Sequence, residues 1–141
     1  MIIDKGRWMP KHKTLIKEIP MSPYSVDLWL IISSDPSEAV TKFNHSHPNL
    51  AIKWTNDMAA WTEDKFYKDS FLTVIFHASF TDANTVSHEA VHIKNRIFEH
   101  AGILHDPKND EPEAYLLGWI VQKITEAINE YRKGDRSTKA K

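Results

Sequence analysis

Val86-Ser87-His88-Glu89-Ala90-Val91-His92-Ile93-Lys94-Asn95-Arg96-Ile97 carries two patterns at once, and reading them together decides the fold. Val86, Ala90, Ile93, Ile97 and then Ala101 recur at spacings of 4, 3, 4 and 4, the apolar stripe of an amphipathic helix. His88 and His92 fall on the opposite side of that helix. Residues four apart are rotated by about 40° and separated by about 6 Å along the axis, so both imidazoles can reach one metal ion. Glu89 lies roughly 60–100° around the helix from them, near enough to touch an activated water without ligating the metal. The H-E-x-x-H spacing therefore predicts metal-assisted hydrolysis.

Working outward, Thr81 or Asp82 can cap this helix, and Gly102 is a natural residue to end it after Ala101. The preceding run, Phe71-Leu72-Thr73-Val74-Ile75-Phe76-His77-Ala78-Ser79-Phe80, predicts a strand. So does Val26-Asp27-Leu28-Trp29-Leu30-Ile31-Ile32, rich in β-branched and aromatic residues. Asp35 as N-cap, Pro36 at the first helical position and Glu38 closing a capping box predict a helix running to about Phe43. Residues 44–49 read as loop, which leaves His45 and His47 exposed. Ala59-Ala60-Trp61 predicts a short strand. Asp110 and Glu113 form a second possible capping box, opening a long helix to about Tyr131. The order of strand, helix, strands, helix, helix is that of a small α+β domain: a sheet packed on the histidine helix and a C-terminal helix.

With 141 residues the chain is expected to be a single domain. It has no cysteine and eight histidines, so disulfides, thiolate metal sites and a cysteine nucleophile are excluded, and any metal must be held by His, Asp or Glu. The formal net charge is −1, unevenly placed. Residues 1–20 carry five basic side chains against two acidic ones, and residues 129–141 again five against two. We therefore expect a basic N-terminal arm over 1–22, bounded by Pro20 and Pro23, and a flexible basic tail over 132–141. No stretch approaches the ~18 apolar residues of a membrane span, and the start lacks a signal-peptide pattern. A cytoplasmic location is the expectation. The four glycines are isolated, which disfavours a phosphate-binding loop.

A catalytic zinc usually takes three protein ligands. The metzincin position for the third is Phe98, which excludes that class. His100 is too far along the helix if the helix continues, and His105 lies beyond the glycine turn. The first turn of the last helix, Glu111-Pro112-Glu113-Ala114-Tyr115-Leu116-Leu117-Gly118, offers two carboxylates. Glu111 shares a face with Ala114, Tyr115 and Gly118, whose small members would allow close approach to the histidine helix. Glu113 shares the stripe of Leu117, Ile120, Ile124 and Ile128, where a charge needs a partner. Glu111 is preferred, with Glu113 and His105 left open.

The segment from about 71 to 122 resembles compact gluzincin-type metallopeptidases, in particular the repressor-cleaving proteases of mobile elements and small phage-encoded H-E-x-x-H proteins. The resemblance rests on the strand before the active helix, His88-Glu89-Ala90-Val91-His92, and the downstream Glu-x-x-Ala-aromatic segment. It implies a minimal zincin-like fold, zinc held by His88, His92 and Glu111, and Glu89 as the general base.

On this reading the chain hydrolyses a peptide bond in a protein or peptide substrate. Zinc would lower the pKa of a bound water towards ~7, and Glu89 would take its proton. The strand Phe71–Phe80, if it lies at a sheet edge, would align the peptide by strand addition. Tyr115 or His77 would donate to the oxyanion. The alternative is a non-catalytic zincin-like binding protein whose basic ends (Lys5, Arg7, Lys11 and Lys13; Arg132, Lys133, Arg136, Lys139 and Lys141) dock nucleic acid or a protein partner.

Overall fold

The computed structural model describes residues 13–66 and 70–140, and for 135–140 the backbone path alone. Among the described residues the chain forms β1 (Thr14–Pro20), β2 (Asp27–Ser33), α1 (Pro36–Ser46), β3 (Ala60–Asp64), β4 (Phe71–His77), α2 (Ala83–Ala101) and α3 (Glu111–Ala140), with a 3-10 turn at Pro48–Leu50. The strands make one mixed sheet in the order β1-β2-β4-β3. β2 and β4 run parallel in its centre, and β1 and β3 close the two edges antiparallel to them.

The central strands read as apolar runs because both of their faces are covered. Leu28, Leu30, Ile32, Leu72, Val74 and Phe76 face α2 and α3, while Ile31 and Ile75 face α1, Leu50 and Ile52. α1 begins as expected, with the Asp35 side chain accepting a hydrogen bond from the Glu38 N–H at 3.2 Å. It continues past Phe43 to Ser46. α2 is capped by Asp82, which accepts from the Thr85 N–H and hydroxyl. It ends where Gly102 adopts φ 72°, a left-handed conformation that glycine reaches without steric cost.

Several expectations are corrected. Residues 14–20 are not a solvated arm: they form β1, paired along its length with β2. Its residues alternate between more and less exposed positions, and Lys17 reaches across to Glu130 of α3 at 2.8 Å. Lys13 donates to the Tyr131 carbonyl, so two of the basic side chains near the start are engaged within the fold. Of the other basic residues expected at the two ends, Lys5, Arg7, Lys11 and Lys141 lie outside the described residues. β4 ends at His77, and Ala78 and Ser79 turn away. α3 does not stop near Tyr131 but continues to Ala140, so the segment expected as a flexible tail is helical in its backbone. No helix among the described residues is long and apolar enough to cross a membrane.

The histidine helix owes its orientation to its stripe. Val86, Ala90, Ile93, Ile97 and Phe98 are buried against the sheet and against Leu116, Ile120, Ile124 and Ile128 of α3. Each large apolar side chain buried in this way contributes on the order of 1.5–3 kcal/mol. With that side committed, His88 and His92 are turned outward along the edge of the sheet.

Candidate metal centre

β3 and α2 form the two walls of the site. In the β3 register, Thr62 lies opposite Val74 of β4, and its hydroxyl donates to Glu89 Oε1 at 2.6 Å. Two residues further on, Asp64 meets the Arg96 guanidinium at 3.3 Å. These contacts tie the edge strand to α2 at Glu89, between the two histidines in sequence, and at Arg96, one turn beyond His92. Glu89 itself is 5% exposed, a depth at which a carboxylate needs partners. The Thr62 hydroxyl is one, and the His88 ring is the neighbour of its other oxygen, with Nε2 3.9 Å from Oε2.

The two imidazoles converge as helix geometry requires. His88 Nε2 and His92 Nε2 stand 3.2 Å apart, with their rings edge to face. Two nitrogens bound to one ion at about 2.0–2.1 Å in tetrahedral geometry are about 3.3 Å apart, so the pair fits a shared ion with little adjustment. Ligand atoms from His88, Glu89 and His92 lie within 4.8 Å of one another. In donor chemistry, two neutral imidazoles beside a carboxylate suit zinc or another divalent first-row ion.

The other candidates take different places. Glu111 is not in that group among the described residues. Its face of α3, with Ala114, Tyr115 and Gly118, is exposed, and a Cβ added at Gly118 would meet nothing within 4 Å. The expectation that small residues bring this face against the histidine helix is therefore overturned: α3 packs through Leu116, Ile120 and Ile124 instead. Glu113 does not close a capping box. Its Oε2 receives His105 Nδ1 at 2.7 Å and Lys94 Nζ at 3.1 Å, and these two donors hold its carboxyl below the ordinary glutamate range. Glu113 and His105 thus occupy each other. His100 stacks on Phe66 at 4.2 Å between ring centroids. His47 stacks on Phe43 and leans on Trp29, packed rather than free in a loop.

A cavity of about 250 Å³ opens beside the histidines, lined by Ala59, Ala60, Asn84, Thr85, His88 and Glu89. Neither expected oxyanion donor lines it. His77 Nδ1 accepts from the Ser79 N–H at 3.0 Å. Tyr115 is 75% exposed and belongs to a separate groove with Pro23, Tyr24, Pro112 and Trp119. The strand expected to meet a peptide is also different. β4 is bonded on both sides, so the edge next to α2 is β3. Thr62 and Asn84 are the site residues that sequence reasoning did not single out. Thr62 is 27 positions from Glu89, and only the pairing of β3 with β4 brings them together. Asn84 precedes His88 by four, a spacing that was legible as one turn of the same face.

Compared with known proteins, the chain matches no family model, no curated protein and no solved structure.

Proposed function

We propose that the protein is a zinc-dependent peptidase of minimal zincin type, acting on a peptide bond in a protein or peptide substrate. The observation that carries this reading is the convergence of His88 and His92 Nε2 to 3.2 Å beside a buried glutamate, in an open cleft beneath an edge strand. A surface histidine pair with no metal to bind explains neither the burial of Glu89 nor its separate tether to Thr62.

In this reading His88 and His92 supply two ligands, and Glu111, which lies outside their group among the described residues, would be brought to the ion by a movement of the first turn of α3. Among the described residues the Glu111 carboxylate has no hydrogen bond or ion pair, whereas Glu113 is fully engaged. The bound ion would supply Lewis acidity towards a water and towards the scissile carbonyl. Glu89 Oε2 takes the proton of the attacking water and later delivers it to the leaving nitrogen, while Thr62 fixes Oε1 and so limits rotation of the carboxylate. The outer edge of β3 pairs with an extended peptide by strand addition.

The test is zinc stoichiometry and turnover of wild type beside Glu89→Gln, His88→Ala, Glu111→Gln and Glu113→Gln. Glu89→Gln should retain zinc and lose about 10²–10⁴-fold in rate, the usual worth of a positioned general base. His88→Ala and Glu111→Gln should lose zinc, and Glu113→Gln should keep it. Wild-type protein that binds no zinc, or Glu89→Gln protein that hydrolyses normally, overturns the reading. Zinc retained in Glu111→Gln but lost in Glu113→Gln reassigns the third ligand.

A further inference from the structure

The cavity is lined by more than His88 and Glu89. Asn84 stands one turn before His88 on α2 and lines the same space as His88 and Glu89. Its neighbour Thr85 has its hydroxyl committed to the Asp82 carboxylate at 2.8 Å. Asn84 has no such commitment: its carboxamide makes no hydrogen bond among the described residues. The opposite wall is Ala59 and Ala60, at the start of the edge strand. Among the described residues Glu89 is the one carboxylate in the lining, and no lysine or arginine takes part.

A carboxamide presents one acceptor and two donors in a plane, the same complement as a peptide group. We propose that Asn84 is a substrate-positioning residue, pairing its carboxamide with a main-chain peptide group next to the scissile bond, and that the adjoining cavity takes the uncharged side chain of that residue. This rests on the peptidase reading of the same site. The chemistry follows from the lining. An acidic side chain would meet the Glu89 carboxylate with no lysine or arginine in the lining to offset it and would compete with the scissile carbonyl for the bound ion, and a basic one would compete for the oxygen that must take the proton. The two alanines leave room for an apolar or hydroxyl side chain without a clash.

The position also makes the idea testable. Asn84 is exposed in the first turn of α2 and packs on nothing in the core, so alanine there, a better helix former, leaves folding intact. A contact made equally in ground and transition states changes KM and leaves kcat in place.

The experiment is cleavage of a randomised library of N-acetylated, C-amidated octapeptides by zinc-loaded wild type, Asn84→Ala and Asn84→Asp. Steady-state kinetics then follow on the best-cleaved peptide, with titration calorimetry of that peptide onto Glu89→Gln protein with and without Asn84→Ala. We expect charged residues to be depleted at one position flanking the cut. Asn84→Ala should raise KM about 3- to 10-fold, the range of one or two net hydrogen bonds, with kcat within twofold and a matching loss of affinity in the calorimetry. Asn84→Asp, which cannot donate and sets a second carboxylate beside Glu89, should be worse. Cleavage with KM and affinity unchanged in Asn84→Ala, or with charged residues accepted on both sides of the cut, overturns the subsite while leaving the peptidase standing. A zinc-loaded wild type that cleaves no member of the library overturns the peptidase reading, and the subsite falls with it.

Discussion

Two glutamates reach the polar side of α2, and their surroundings are opposite. Glu113 comes from α3 and meets a full set of partners: Lys94, 8% exposed and also bonded to Asn95, and the His105 ring. Glu89 belongs to α2 itself, is buried, and has one neutral hydroxyl and an imidazole at 3.9 Å, with no lysine or arginine paired to it among the described residues. The first arrangement is what a fold does with a carboxylate it must keep near its interior. The second leaves one oxygen uncommitted towards a cleft. Incompletely partnered buried carboxylates are costly, and they tend to persist where their chemistry is used. The contrast separates a glutamate that fastens α3 to α2 from one available to move a proton.

The contrast is broken most severely at Thr62. Thr62→Val keeps the shape of the side chain but removes the donor to Glu89 Oε1, leaving a buried carboxylate short of a partner. We expect turnover to fall about 10-fold, and stability by about 1 kcal/mol from the lost hydrogen bond. Thr62→Ser, which keeps the hydroxyl, should restore most of the rate. Peptide turnover and thermal melts of the three proteins check this. Equal rates in wild type and Thr62→Val would mean that Glu89 is positioned by its own helix alone.

A smaller effect is expected on the structural side. Lys94→Met keeps the buried stem and removes the ammonium that bridges α2 to Glu113 and Asn95. The melting temperature should fall by a few degrees, the scale on which a chain of this size reports a lost polar contact. kcat should stay unchanged. A loss of turnover without a loss of stability would show that the two glutamates are coupled and not separate in role.

Much of this arrangement was legible in the sequence, because local patterns specify local structure. The α2 stripe, its Asp82 cap, its Gly102 stop and the convergence of His88 and His92 all follow from residues within one or two turns of each other. Both central strands announced themselves as apolar runs. What was lost was non-local or disguised. β1 sets Lys17 between Leu15 and Ile19 on its less exposed face and Ile16 beside Thr14 and Glu18 on the other, so an edge strand looked like a charged arm. The face of α3 that meets α2 was misjudged because small residues at Ala114 and Gly118 suggest close packing, whereas Leu116, Ile120 and Ile124 provide the larger apolar area. The edge position of β3, and with it the Thr62 contact, depends on sheet order, which no single segment encodes.

The mildest way to probe the comparison is acid. His105 first and Lys94 second hold the Glu113 carboxyl below the ordinary glutamate value. A depressed carboxyl pKa contributes stability that is fully present above the unfolded-state value and is lost as pH falls through the lower, folded-state one. The α2–α3 junction should therefore loosen over that acid window, below the ordinary titration of glutamate, and remain firm at neutral pH. Hydrogen exchange of the Ala114 to Leu117 amides against pH follows this directly. In Glu113→Gln, which cannot titrate, the acid dependence at those amides should flatten. If the same dependence survives the substitution, another carboxylate governs the junction, and Glu113 is not the fastening that its two partners make it.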